Sequence, residues 1–215
     1  MNISSSVLKR LNVAMFVGAA AVFAAAPSAH ADVIYTNLTA TPLSITNSID
    51  GVYLNVVTGV TGSSGAAGWD INPYNNNAGL TFYGAATPSG IMATGTPGTT
   101  AVASALAAGA LISAAGQFNQ FQTVGTAFQG GGMNYLGFRF QNEATGQQDY
   151  GWLLVSSTAG NGFPTSILGY AYENTGASIM AGQTTAVPEL STYAMFGLAF
   201  AGAAGLSAWR RRRQA

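Results

Sequence analysis

The stretch that decides the fold class lies in the second half of the chain, where residues 135–140 read Tyr-Leu-Gly-Phe-Arg-Phe and residues 150–156 read Tyr-Gly-Trp-Leu-Leu-Val-Ser. In the first run, Leu136, Phe138 and Phe140 recur at every second position, which is the pattern of a strand with one buried face. The second run is apolar on both faces, which is typical of a central strand. Because the segment between them is rich in turn-forming residues, the two runs predict a β-hairpin.

Shorter runs of similar composition flank this hairpin. Val52 to Thr58, Leu80 to Tyr83 and Ile167 to Tyr172 are rich in β-branched and aromatic residues, and clusters of Gly, Asn, Pro and Ser separate them. Such runs favour strands. Residues 32–180 are therefore predicted to form one mainly β domain, an antiparallel β-sandwich or jelly roll.

One segment departs from the strand pattern. The sequence from Thr99 to Ala115 is rich in alanine, which favours a helix, while Gly98, Gly109 and Gly116 limit its length. We expect a short helix that runs into a strand near Leu111.

Charged side chains are few and unevenly placed. They make up only 7% of the chain, and Arg139 is the single basic residue between residues 32 and 187. Six acids against this one arginine give the segment a formal charge of −5, although the whole chain is neutral. The acids are Asp32, Asp50, Asp70, Glu143, Asp149 and Glu173. Such a domain repels phosphate backbones, so we expect no nucleic-acid partner.

The residue types that are missing exclude many enzyme classes. The chain has no cysteine, and its single histidine and single lysine, His30 and Lys9, both lie near the N-terminus. Serine hydrolases, thiol enzymes, Schiff-base lysines, P-loops and His or Cys zinc sites each lack a required residue in the middle of the chain. A carboxylate-based glycosidase, which needs two acids about 5 to 10 Å apart, is the enzyme class left open. We expect no enzymatic activity and no cofactor.

The N-terminus has the order of parts of a secretory signal. Two basic residues precede an apolar run over residues 11–26, and small residues follow at Ala29 and Ala31. This order predicts a signal peptide over residues 1–31 that is cleaved before Asp32. The alternative is a permanent N-terminal anchor.

The C-terminus predicts a membrane helix after a short linker over residues 181–187. Residues 190–209 carry no charge, and as a helix they would span about 30 Å, one hydrocarbon core. Tyr193 and Trp209 bracket the segment, and a basic cluster follows it: Arg210, Arg211, Arg212 and Arg213. Because such charges stay on the cytoplasmic side, the domain before the segment is predicted to face outward. A buried helix of a soluble protein is the alternative.

The tail over residues 188–215 resembles the PEP-CTERM sorting signal of Gram-negative bacteria. The resemblance rests on Pro188-Glu189-Leu190, followed by the apolar segment and the arginine cluster. The family motif is Pro-Glu-Pro, and Leu190 stands at its third position here. The resemblance implies recognition by an exosortase, cleavage near Pro188 and Glu189, and delivery to the cell surface or extracellular matrix. An ordinary tail anchor is the alternative.

Two groups of side chains are candidate ligand contacts. Trp69 and Trp152 have flat faces on which a sugar can stack, although large aromatic residues also serve as core packing. Asp70, Asn72 and Asn75 carry oxygen atoms of the kind that calcium prefers, although Asx side chains in turns commonly bind their own backbone.

These features together predict an exported, non-enzymatic β domain with a structural or adhesive role at the cell surface. Its expected partners are the inner membrane, through the C-terminal helix, an exosortase-type enzyme, and extracellular polysaccharide. We expect the chain to be anchored in the membrane transiently before it reaches the surface. A carbohydrate-binding, lectin-like module is the alternative function, and a glycosidase is a more distant one.

Overall fold

The computed structural model describes residues 32–65, 67–98 and 100–186. The predicted signal peptide over residues 1–31 lies outside these ranges, as does the predicted sorting tail over residues 188–215 with its membrane helix. Within the described ranges, no helix is long and apolar enough to cross a membrane.

Short strands joined by loops make up nearly all of the regular structure. In chain order, the elements are β1 (Val33–Asn37), β2 (Leu43–Ile45), β3 (Tyr53–Leu54), β4 (Thr61–Gly62), β5 (Ile71–Asn75), β6 (Leu80–Gly84), β7 (Gly90–Thr94), β8 (Val102–Ala103), β9 (Ala105–Leu106), β10 (Leu111–Ile112), β11 (Phe118–Asn119), β12 (Thr123–Val124), α1 (Thr126–Gln129), β13 (Gly132–Asn142), β14 (Gln147–Thr158), β15 (Gly162–Glu173) and β16 (Ile179–Met180). The prediction of a mainly β domain is confirmed.

Fourteen of these strands belong to one curled sheet with the order β1-β15-β14-β13-β7-β8-β12-β6-β5-β3-β4. β2, β9 and β11 pair beside this path, and β10 pairs with β16 in a separate two-stranded sheet. The pairing is antiparallel except between β8 and β12. The sheet is continuous because β7 pairs with β13 near one end and with β8 near the other. The strands therefore form one curled, mixed sheet and not the two separate sheets of the expected sandwich.

The predicted hairpin is the centre of this sheet. β13 and β14 pair along their whole length, with Leu136 opposite Leu153, and β14 lies between β13 and β15. The prediction that residues 150–156 form a central strand is confirmed. Gly151 is required here, because an added Cβ would lie 2.4 Å from Cζ of Phe138.

The curl of the sheet encloses the main hydrophobic core. This core joins Leu54 and Phe82 from one half of the sheet to Phe138 and Ile167 from the other half. A second buried cluster lies on the opposite face of the β13–β15 region and includes Val33, Ile112, Tyr150, Trp152 and Ile179. Both faces of the central strands are therefore covered.

The predicted helix over residues 99–115 is wrong for the part of it that the structure describes. This part contains β8, β9 and β10, and Gly109 takes a left-handed conformation with φ of +82°. Ala101 and Ala103 are buried, and Ala103 pairs with Ala93 across the sheet. Burial and strand pairing thus override the helix propensity of alanine. The predicted strand near Leu111 is confirmed.

The predicted strand from Val52 to Thr58 is shorter than expected and covers Tyr53–Leu54. The side-chain oxygen of Asn55 accepts hydrogen bonds from the backbone N–H groups of Val57 at 2.9 Å and Thr58 at 2.8 Å. Such local hydrogen bonds offer the backbone an alternative to hydrogen bonding with a neighbouring strand. Asn55 therefore turns the chain directly after β3.

Candidate functional site

Three half-buried aromatic rings contact one another next to β3, β5 and β6. Tyr53 lies on β3, Tyr83 lies on β6, and Trp69 lies just before β5, the strand between them. The Trp69 ring packs edge to face on Tyr53, with centroids 4.9 Å apart, and lies 6.1 Å from the Tyr83 centroid. None of the three side chains is fully buried. We call these three residues the aromatic surface.

Strand alternation explains why Tyr53 and Tyr83 share a face. Leu54 is opposite Ile71, and both belong to the main core. Because successive side chains of a strand point to opposite faces, Tyr53 points away from the core. By the same alternation Tyr83 points away from the face of Phe82, which is also in the core. The aromatic surface therefore lies on the outer face of this half of the sheet.

An exposed carboxylate lies beside this surface. Glu143, in the turn between β13 and β14, accepts a hydrogen bond at Oε1 from Nδ2 of Asn55. Both side chains pack on Gly68, where an added Cβ would lie 2.7 Å from Nδ2 of Asn55 and 3.1 Å from Oε1 of Glu143. Gly68 also has a φ of +69°, so a glycine is needed for two reasons. The Glu143 carboxylate is thereby held against Gly68, the residue that precedes Trp69.

A buried carboxyl group lies next in the chain after Trp69. Asp70 is buried, and its Oδ2 accepts a hydrogen bond from the backbone N–H of Val56 at 2.9 Å. The pKa of Asp70 is raised to about 7, mainly by burial; the Val56 hydrogen bond opposes the shift, and the negative charge of Glu143 adds to it. Asp70 and Glu143 thus lie close enough for the charge of one to affect the ionisation of the other.

A further buried carboxyl group lies on the central hairpin. Asp149 on β14 accepts a hydrogen bond at Oδ2 from Nδ2 of Asn142 at 2.8 Å. Burial raises the pKa of Asp149, and the charge of Glu173 contributes to the rise. Burial also raises the pKa of Tyr172, with a smaller contribution from the charge of Asp149. These groups are covered by the fold and are not open to a ligand.

Comparisons with known protein families, curated protein sequences and solved structures found no match. The aromatic surface offers apolar ring faces beside one exposed carboxylate, that of Glu143, which the buried Asn55 amide holds in place. Apolar and aromatic walls with a few placed polar groups are the usual composition of a small-ligand site.

Trp152, the second tryptophan expected to contact a glycan, is buried with 2% of its surface exposed. Its Nε1 donates a hydrogen bond to the backbone oxygen of Gln183 at 3.0 Å. Its ring packs against Tyr135 at 5.3 Å and Tyr35 at 5.8 Å between centroids. Because no ring face is open to a sugar, Trp152 is a core residue and leaves the set of candidate contacts, whereas Trp69 remains in it.

The three candidate calcium ligands do not converge. Asn72 donates from Nδ2 to the backbone oxygen of Asp50 at 2.7 Å, and Asn75 donates to Oδ1 of Asn47 at 2.6 Å. Asp70 lies just before β5 and Asn75 is its last residue, so at about 3.3 Å per residue their Cα atoms are about 16 Å apart. Within the described ranges, no three His, Cys, Asp or Glu side chains form a group that could hold a metal ion.

Sequence reasoning identified Trp69 but missed Tyr53, Asn55 and Glu143 beside it. Tyr53 could have been found from its alternation with Leu54 in a predicted strand. Asn55 and Glu143 could not, because their contact joins positions 88 residues apart, and no local pattern signals such a contact.

Proposed function

We propose that this chain is an exported surface protein whose β domain adheres to polysaccharide through the aromatic surface. The observation that carries this proposal is the half-exposed contact of Trp69 with Tyr53 and Tyr83. Sugar rings have apolar C–H faces that pack on aromatic rings, and their hydroxyl groups need polar partners at the edge. Glu143 supplies such a partner beside Trp69, and the buried Asn55 amide holds it in place.

The order of the sequence segments supports export and sorting. The proposed signal peptide over residues 1–31 precedes the β domain, and the PEP-CTERM-like motif over residues 188–190 follows it. The apolar segment over residues 190–209 and the arginines at 210–213 then hold the chain in the inner membrane. An exosortase cleaves near the motif and releases the domain to the cell surface or matrix.

The adhesive role is tested on the full chain, purified in mild detergent, with an array of oligosaccharides. We expect Trp69→Ala to weaken sugar binding at least about tenfold, since truncation of a central aromatic contact commonly has this effect. Tyr35→Ala is the matched control, because Tyr35 is 39% exposed but lies on β1, at the other end of the sheet order. An array without binding, or equal losses in both variants, would contradict the adhesive role.

The sorting signal is tested separately in a host that carries an exosortase. Changing both Pro188 and Glu189 to Ala should leave membrane insertion intact, because both precede the apolar segment, but should block trimming of the tail. Neutral replacements at the arginine cluster should instead disturb orientation or retention. The readout is the size and location of the protein. If the Pro188/Glu189 variant is trimmed and released like the parent, the tail is only a membrane anchor.

A further inference from the structure

The charge of the β domain restricts the polysaccharides that it can bind. Six acids and one arginine lie between residues 32 and 187. Arg139 lies 4.9 Å from the centroid of the Phe118 ring. Uronic acids, sulfated sugars and phosphorylated sugars therefore meet a net repulsive field. Neutral or cationic sugars do not.

The exposed carboxylate beside the aromatic surface is fixed in position. Asn55 binds Oε1 of Glu143, and both side chains rest against the backbone of Gly68. This arrangement leaves lone pairs on Oε2 for a donor on a ligand. Because the side chain is already ordered, a ligand meets a smaller entropic cost than it would at a freely rotating glutamate.

The negative charge of Glu143 affects the neighbouring Asp70. Its charge contributes to the raised pKa of the buried Asp70 carboxyl. A cation placed beside Glu143 would reduce this unfavourable interaction between the two carboxyl groups. The surface therefore combines apolar ring faces with a fixed negative charge, which together suit an amphipathic cation.

We propose that the aromatic surface binds polysaccharides that carry free amino groups, that is, protonated amino sugars. The apolar face of the sugar packs on Trp69, and its ammonium group donates to the carboxylate of Glu143. The aromatic rings add a cation–π attraction for the same ammonium group. This inference rests on the proposed adhesive function and names its ligand class.

The test compares two oligosaccharides of equal length, a chain of β-linked glucosamine and its fully N-acetylated counterpart. Acetylation removes the positive charge and keeps the sugar ring. With the full chain in mild detergent, calorimetry should show about tenfold tighter binding of the amine form, as expected for a charge-assisted hydrogen bond. The difference should shrink as salt is added, since the contact is exposed to solvent.

Two variants with the same change of charge distinguish a specific contact with Glu143 from general electrostatic attraction to the acidic domain. Glu143→Gln keeps an oxygen for Asn55, so the fold should persist, but it should remove the preference for the amine form. Asp50→Asn is the control, because Asp50 is an exposed acid in the loop before β3, and it should keep the preference.

The outcomes distinguish this inference from the function on which it rests. Equal affinity for both oligosaccharides, or equal effects of the two variants, would overturn the amino-sugar inference. In that case, binding that is still lost in Trp69→Ala would leave the adhesive function standing. Binding of no sugar at all would overturn both.

Discussion

Trp69 and Trp152 have similar aromatic neighbours but different surroundings. Each ring contacts two tyrosines, Tyr53 and Tyr83 for Trp69 and Tyr35 and Tyr135 for Trp152. Trp152 is closed off because it packs in the second buried cluster, where its Nε1 also donates to the backbone of Gln183, whereas Trp69 stays half exposed. Aromatic clustering alone therefore does not identify a ligand surface. The exposure of the ring separates a surface tryptophan from a core one.

The largest expected effect comes from the buried member of this pair. Trp152→Ala should lower the free energy of unfolding by about 3 to 5 kcal/mol, as for other large aromatic residues removed from a core. Trp152→Phe keeps most of the volume and should cost about 1 kcal/mol for the lost hydrogen bond to Gln183, in addition to the smaller ring. Denaturant unfolding measures both values. A loss below about 1 kcal/mol for Trp152→Ala would contradict the placement of Trp152 in the core.

A second difference concerns the residue after Trp69, because Asp70 is buried. Its pKa is about 7 in the folded protein and 3.8 as an ordinary carboxyl group. Between these values the folded state holds a proton that the unfolded state has lost, so the free energy of unfolding should fall as pH rises from about 4 to about 7. The slope contributed by this group approaches about 1.4 kcal/mol per pH unit.

Asp70→Asn should remove the part of the pH dependence of the free energy of unfolding that Asp70 contributes. The amide oxygen of the new side chain can still accept the hydrogen bond of Val56, so the variant should gain stability relative to the parent as pH rises. Denaturant unfolding at several pH values measures the difference between the two curves. Asp50→Asn, at an exposed position, should follow the parent. If the curve of Asp70→Asn runs parallel to the parent curve, Asp70 is ionised in the folded protein throughout this range.

The smallest expected effect on stability comes from Trp69. Trp69→Ala should lower the free energy of unfolding by about 1 kcal/mol, because the ring is half exposed and its main loss is the edge-to-face contact with Tyr53. The same unfolding experiment measures it. A loss as large as that of Trp152→Ala would mean that Trp69 is a packing residue, and the sugar-binding assay could then no longer be interpreted as a local effect.

The strands with regular alternation could be predicted from the sequence. The hairpin of β13 and β14 follows from Leu136, Phe138 and Phe140 on one face and from a partner strand that is apolar on both faces. The strands over residues 102–106 could not be predicted, because the propensity of alanine for helices is weak compared with the gain from burying Ala101 and Ala103 and pairing Ala103 in the sheet. Closure into one curled sheet depends on β7 pairing with two partners, which no local pattern indicates.

The candidate site was predicted only in part, for a related reason. Trp69 stands out in the sequence by residue type, but so does Trp152, and only the tertiary structure distinguishes them. The groups that complete the aromatic surface come from separate segments, with Asn55 just after β3 and Glu143 at the tip of the hairpin. Their meeting depends on the whole curled sheet.

The pairing of β1 with β15 also bears on when the domain can fold. Val33 lies opposite Glu173, and β2 pairs with β15 as well. The first two strands therefore cannot join the sheet before β15, the second-last strand, is available. Chains whose contacts are so distant in sequence fold slowly, in milliseconds to seconds. If the chain is exported N-terminus first, as proposed, it therefore cannot complete its sheet until β15 has left the translocation pore.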